Sequence, residues 1–364
     1  TKIKILYNII LDKTIMKIAI DCRLIGQSGI GTFIENILNY MILDSTNQYL
    51  LIGKEQALAK YSLQGNCQCI NCTYTSFSIK ELIAFPVKAV NQCDAFYTPN
   101  FNIPLGINVP TYSTIHDIVF FDTDNFCSPA KLLIYKWFVK RALRISTKVF
   151  TVSNFSRERI HNYFNTSKDI EVIYNGINQE LKNYKKAHMS ENRKKGIVFL
   201  GNLKRHKGIH LLLEAYNKLQ EEKDDIPLTI IGNFNFRTKD TEIINLLQNN
   251  KSKINFMTNA SNQEVYDIIS KSEVLVSPSY YEGFGIPPLE AMYLNTNVII
   301  SDINVYKEIY KDYPVTFFKS GDSKSLYQAL RDFSYTAINV EAKINNQYNY
   351  ELTAKAVLNN ITSN

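Results

Sequence analysis

Long apolar runs are missing. No stretch of about 18 uninterrupted apolar residues occurs in the 364-residue chain, which argues against a membrane-spanning helix. Cysteine is scarce, six in all, so the chain is no disulfide-stapled scaffold. The start shows no compact apolar core with a small-residue cleavage site, and reduced thiols in the cytoplasm are expected. Charged residues make up only 21% against 45% hydrophobic and 12% aromatic, which repays chain entropy and excludes disorder.

Acid is missing from one place in particular. The 41 Lys and Arg against 34 Asp and Glu give a formal charge of +7. Between Phe126 and Arg157 there is no acidic residue and there are seven basic ones: Lys131, Lys136, Lys140, Arg141, Arg144, Lys148 and Arg157. That segment supplies the whole net charge. No recognition motif accompanies it, so nucleic acid is not an expected partner.

At roughly 100–200 residues per domain, the length predicts two domains. Residues 1–15 read as an N-terminal extension, with Met16 a plausible start; the competing reading is an ordered edge strand. After Met16, short β-branched runs alternate with segments of helical period, the pattern of a parallel sheet covered by helices. Strands are expected at Lys17–Asp21, Tyr49–Ile52, Asp94–Tyr97, Thr111–Ile115, Lys148–Val152 and Glu171–Tyr174. Helices are expected near Ile30–Leu43, Ile79–Asn91, Ala130–Ile145 and Ser156–Phe164. A polar stretch, 178–195, offers few core candidates. The pattern then restarts with strands at Gly196–Gly201, Leu228–Gly232, Ile254–Met257, Glu273–Ser277 and Asn297–Ser301. Two such units predict two doubly wound α/β domains facing each other, with ligand in the cleft beyond the strands' carboxyl ends.

Three loops at such ends carry candidate chemistry. In Ser28-Gly29-Ile30-Gly31-Thr32, two glycines before a helix N-terminus suit an anion, or simply a tight strand–helix turn; Ile34 stands where a dinucleotide fingerprint would have a third glycine. Lys204, Arg205 and Lys207, with His206 among them, precede a helix from Ile209 and form a site for a di-anion such as pyrophosphate. The third loop is Glu282-Gly283-Phe284-Gly285-Ile286-Pro287-Pro288-Leu289-Glu290. Its glycines free backbone amides to face a ligand, its prolines pre-set the next helix, and its two carboxylates suit the vicinal diols of a sugar and a ribose. Cys67, Cys69 and Cys72 lack a fourth ligand at zinc-finger spacing and read as loop thiols, so no metal is expected.

Glu282 and Glu290 resemble the E-x7-E signature of retaining glycosyltransferases of family 4, whose GT-B fold is two Rossmann-like domains. The resemblance continues, in order, through Gly29-Ile30-Gly31, His116-Asp117, Val152-Ser153, Asn175-Gly176 and the Arg205/Lys207 loop. It implies an acceptor-side domain over 16–177, a nucleotide-sugar domain over 178–344, and a last helix near 345–364 packed back on the first domain. It implies that Glu282 contacts the donor sugar, that Gly283, Phe284, Gly285 and Ile286 present amides to sugar and phosphate, and that Glu290 binds the ribose. Arg205 and Lys207 would hold the pyrophosphate, His116 and Asp117 would line the sugar pocket, and Gly29 and Gly31 would face the donor.

Two departures stand out. His206-Lys207 occupies the place of the usual Arg-Lys pair, which puts Arg205 one position out of register. Asn295 and Asn297 lie where relatives carry Gly and Pro, so altered loop detail is expected there.

The implied activity is transfer of a hexose or deoxyhexose, mannose-type favoured, from a nucleotide sugar to a glycan or lipid-linked acceptor, with retention and without a metal or other cofactor. The same fold serves nucleotide-sugar epimerases. A nicotinamide oxidoreductase lacks its full glycine fingerprint here, and a silent nucleotide-sugar-binding protein would not need Glu282, Lys207 and Glu290 together. Glu282 and Lys207 are both expected on exposed loops.

On the basic helix, Leu132, Ile134, Tyr135, Phe138, Val139, Ala142, Leu143 and Ile145 fall in one apolar sector, and Lys136, Lys140, Arg141, Arg144 and Lys148 fall opposite, with Leu133 and Trp137 among the cations. Such a face, over 130–148, fits either an ordinary sheet-covering helix or an anionic membrane surface, the latter making the protein peripheral at the inner face of the cell membrane.

Overall fold

A computed structural model describes residues 15–363 except 28, 75–78, 124–126, 189–194, 223–225, 233–240 and 250–253. Residues 1–14 of the expected extension, Ser28 of the glycine loop and part of the polar stretch thus lie outside the described residues.

In the first half, the described strands are β1 (Lys17–Asp21), β2 (Gln48–Gly53), β3 (Cys67–Asn71), β4 (Ala95–Thr98), β5 (Thr111–Thr114), β6 (Lys148–Thr151) and β7 (Ile170–Val172). The second half contributes β8 (Ile197–Leu200), β9 (Leu228–Ile231), β10 (Ile254–Met257), β11 (Val274–Ser277), β12 (Asn297–Ser301) and β13 (Thr316–Phe318). They form two sheets, ordered β3-β2-β1-β4-β5-β6-β7 and β10-β9-β8-β11-β12-β13. Every pairing among the described strands is parallel, with β1 in register on β2 from Lys17↔Gln48 to Asp21↔Ile52.

Parallel strands are buried on both faces, and alternate β1 side chains serve different cores. Ile18 and Ile20 pack with Phe33, Ile34 and Ile37 of the helix Gly29–Met41, whereas Ala19 packs with Leu50, Ile52 and Phe96. The first of these clusters runs on through the domain junction, by Ile177, Tyr348 and Tyr350, to Leu289 and Ile300 of the second domain. The last helix, Tyr350–Thr362, lies on the first domain: the Tyr350 ring meets Phe33 edge-on at 6.2 Å and the Thr353 hydroxyl donates to Tyr174 O at 2.6 Å.

Several expectations need correction. The cysteine cluster is not a loop, since Cys67 and Cys69 lie in β3, an edge strand whose largely exposed pattern gave no apolar signal. The helix expected over 79–91 is two short ones, Ile79–Ala84 and Val87–Val90, because Pro86 has no N–H to continue the ladder. The polar stretch holds a helix, Gln179–Ala187, capped by the Asn178 side chain and anchored by buried Leu181 and Tyr184. Asn295 closes the helix Ile286–Tyr293 with φ 60°, a conformation that glycine ordinarily supplies.

The basic helix, Pro129–Ile145, departs from its expected faces. It buries only Phe138, Val139, Ala142 and Leu143, all in its C-terminal half, while Ile134, assigned to the apolar sector, is 53% exposed. Arg141 folds back to donate to Ile103 O at 2.6 Å and Pro104 O at 3.2 Å, and Lys148 pairs with Asp169 and Glu171. The helix meets the sheet along half its length, so a full-length sector overstated burial.

Candidate active site

Both sheets reverse their strand order once, between β1 and β4 and between β8 and β11, and crevices form at the carboxyl ends of such switch points. The two switch points face one another. After β1 comes Gly29, after β5 His116 and Asp117, after β8 Lys207, and after β11 Glu282. Gly29, His116, Asp117, Lys207 and Glu282 line one cavity of about 330 Å³, with Gly283, Phe284, Gly285 and Ile286. Glu290 lines a second, of about 680 Å³, with Asn36, Gly201, Gly232 and Tyr266. Gly29, Ile286 and Pro287 border both, so the two cavities adjoin.

In the smaller cavity, Lys207 Nζ donates to both oxygens of Glu282, at 2.8 and 2.7 Å, and the Ser279 hydroxyl donates to Oε1 at 2.7 Å. The side chains of Lys207 and Glu282 are only 24% and 12% exposed, so neither sits on the exposed loop expected of it. Lys207 ends a 3-10 turn, Arg205–Lys207, closed by Gly208 at φ 70°. A Cβ at Gly208 would collide with the Pro278 carbonyl, which ties this turn to the Glu282 loop.

Gly283 is where the domains meet. A Cβ there would stand 3.0 Å from Asp117 Oδ2 and 3.0 Å from His116 O. Burial raises the Asp117 carboxyl, opposed by the Val119 amide and Lys207. Burial also pushes His116 down to about 4, so the ring is neutral at pH 7. It hydrogen-bonds the Pro99 backbone, which has only a carbonyl to offer, and Nε2 is buried without a partner among the described residues. Nδ1 therefore carries the proton, and Nε2 presents a lone pair to a hydroxyl.

No described group accepts a hydrogen bond from the backbone N–H of Gly283, Phe284, Gly285 or Ile286. The Phe284 ring points the other way, into the core against Tyr174 and Tyr348, so only its backbone serves the cavity. Glu290 stands one turn into the helix that starts at Ile286. Burial alone pushes its carboxyl up to about 7, and no described cation pairs with it.

Two expected residues stand apart. Gly31 lines neither cavity; a Cβ there would collide with the Leu24 carbonyl, so its glycine serves the turn after β1. Arg205 is exposed and lines neither. Lys204 is the cation that shares the field of Asp117 and Lys207, its pKa lowered first by burial and then by Lys207. Asn175 also lines the smaller cavity, with its buried Oδ1 unpartnered.

Two facing parallel-sheet domains with this cleft define a GT-B glycosyltransferase fold. Residues 180–348 match the family model described as Glycosyl transferases group 1, and residues 88–181 match Glycosyltransferase Family 4. The chain belongs to the family 4 type of glycosyltransferases. It is 30% identical over 239 residues to the O-antigen chain mannosyltransferase RfbU of Salmonella typhimurium, covering 65% of this chain and 63% of that protein. It is also 30% identical over 237 residues to an uncharacterized glycosyltransferase, MJ1607, of Methanocaldococcus jannaschii, covering 59% of each. The chain thus spans about three-fifths of these relatives' length. Among solved structures it superposes on sucrose-phosphate synthase from Thermosynechococcus elongatus with TM-score 0.75 at 16% identity, covering 96% of this chain and 98% of that one. It superposes on Anabaena Alr3699/HepE in complex with UDP-glucose with TM-score 0.72 at 16% identity, covering 96% and 100%.

Proposed function

We propose that the protein transfers a hexose, with mannose favoured, from a nucleotide sugar to a hydroxyl of a glycan or lipid-linked acceptor, retaining the anomeric configuration. The observation that carries this reading is the cavity in which the Glu282–Lys207 pair, neutral His116 and the amides of residues 283–286, which no described group accepts from, converge. Relatives named as O-antigen mannosyltransferases favour mannose.

In this reading the donor sugar sits between Glu282 and His116, whose Nε2 accepts a sugar hydroxyl. The diphosphate takes the loop amides and Lys207, and the ribose reaches Glu290 in the adjoining cavity. As the bond from the anomeric carbon to phosphate oxygen breaks, charge grows on the phosphate, where fixed cations and amides are worth most. The acceptor oxygen bonds to that carbon from the same face, and its proton passes to the departing phosphate. Lys207 and Lys204 supply the positive charge, so turnover is expected to persist in EDTA.

A panel of nucleotide sugars tests this. Slow donor hydrolysis with retained configuration, unaffected by EDTA, supports transfer. Release of epimerised sugar without an acceptor favours the epimerase reading, and binding without turnover favours a silent binding protein.

The basic helix supports a membrane setting for the acceptor. No described helix is long and apolar enough to cross a membrane. Leu133 and Trp137 are 69% and 49% exposed beside Ile134, with Lys131, Lys140 and Arg144 exposed on the same helix. Apolar tips ringed by cations suit an anionic bilayer face, which supports an enzyme that works at the inner surface of the cell membrane. Co-sedimentation with anionic liposomes that survives K140E/R144E and L133S/W137S would remove this placement.

A further inference from the structure

One short helix, Asn304–Tyr310, grips the donor loop on one side and the opposite domain on the other. Tyr306 hydrogen-bonds Ser277 Oγ at 2.7 Å and reaches Glu282 Oε1 at 3.4 Å, and the Tyr310 hydroxyl donates to Gly285 O. From the same helix, the Glu308 carboxylate crosses the cleft. It accepts the backbone N–H groups of Asn154 and Phe155, each at 2.7 Å, and the Asn154 amide at 3.0 Å. Asn154 and Phe155 open the helix Asn154–Phe164 of the first domain, where amides lack intrahelical partners and a carboxylate is favoured.

The residue before that helix completes the link. Ser153 Oγ accepts from Ser156 N at 3.0 Å, and its one proton goes across the cleft to Gly283 O at 2.7 Å. The Gly283–Phe284 peptide is planar and trans, so its N–H points opposite to its C=O. A carbonyl pinned toward the first domain therefore fixes the direction of the Phe284 N–H, one of the loop amides that no described group uses.

We infer that Glu308 and Ser153 are positioning residues: Glu308 holds the facing helix against the donor loop, and Ser153, which caps that helix, sets the Gly283–Phe284 peptide so that the loop's amide is aimed at the donor's diphosphate. The loop then reaches its anion-binding shape only when the domains are closed. This rests on the glycosyltransferase reading for the identity of the anion, whereas the coupling rests on geometry alone.

Inorganic pyrophosphate, titrated calorimetrically into the full chain, reads the loop without any turnover. S153A and E308A are each expected to weaken pyrophosphate about tenfold, roughly the worth of one hydrogen bond to a charged group. The double variant should be no weaker than either single one, because both act on one peptide. E308Q keeps a carbonyl acceptor and should recover part of the loss. All should melt close to wild type, and kcat should fall while the donor KM changes less. Additive losses, unchanged affinity in S153A, or a wild type that does not bind pyrophosphate would overturn the inference. A wild type that binds pyrophosphate and obeys this pattern but turns over no nucleotide sugar would sink the functional reading and leave the coupling standing.

Discussion

Glu282 and Glu290 belong to one loop-helix unit, yet their surroundings are opposite. Glu282 is held by an ammonium and a serine hydroxyl in a cavity of about 330 Å³, and the cations Lys204 and Lys207 set the field there. Glu290 lies in a larger cavity, about 680 Å³, without a cationic partner among the described residues, and burial alone governs it. The difference divides the cleft by charge. The tight end is built to meet an anion as it forms, and the roomy end is built to hold a neutral, hydroxyl-bearing group.

The sharpest way to break that contrast is at the tight end. E282Q keeps shape and one acceptor but removes the charge, and turnover is expected to fall about 10²–10³-fold, the cost of losing one electrostatic contributor to a transition state. K207M should cost as much in turnover and also lower the melting temperature, since it strands a largely buried carboxylate. Because the two act as a pair, the double variant should lose far less than the product of the single losses. Independent losses in kcat/KM would show that the pair is only a structural tie.

Closure is the next target. G283A places a methyl 3.0 Å from Asp117 Oδ2 and His116 O, both in the opposite domain. It should slow turnover by about 10–100-fold while nucleotide affinity, which the proposed function assigns mostly to the second domain, stays near wild type; a misplacement of an ångström costs on that scale. Equal losses in both would mean that the glycine serves the loop and not the domain approach.

What was legible follows the same division. The strand-loop-helix rhythm and the E-x7-E spacing lie within short windows, so both sheets and the Glu282 loop could be read from periodicity and local chemistry. Glu308 gave no such signal, because its role comes from a contact between domains, with Asn154 154 residues away. Ser153 and Asn175 stand in motifs that the resemblance picks out, but the tie of Ser153 to Gly283, 130 residues away, lies outside any short window. The edge strands β3 and β13 escaped because a half-exposed strand of three to five residues carries little apolar pattern. Burial of Lys207 and Glu282 has the same long-range origin: the facing domain covers the loops that carry them.

At the roomy end the expected effect is smaller and has a sign. A Glu290 that holds the ribose would accept its hydroxyls best as a carboxylate, so on the proposed function the donor KM should rise as pH falls below about 7, approaching tenfold per unit. Stability should move the other way. A folded-state pKa raised from 4.5 to about 7 makes its contribution fully present below 4.5 and lost as pH rises through 7. E290Q should flatten both profiles. A donor KM independent of pH between 5.5 and 8.5 in the wild type would remove Glu290 from the ribose.

The smallest effect separates two neighbouring cations. Neither Arg205, the residue that a motif comparison selects, nor Lys204 borders a cavity, but Arg205 is exposed whereas Lys204 is half-buried within the field of Lys207 and Asp117. A charge that faces solvent is screened over about 8 Å at physiological salt, while one in a partly buried cleft acts at lower effective dielectric. K204M is therefore expected to lower kcat/KM about tenfold and R205M less than threefold, with the R205M loss vanishing as salt is raised. The reverse order would mean that donor binding swings Arg205 into the cleft, and the division of charge would then be set by the bound donor and not by the resting loop.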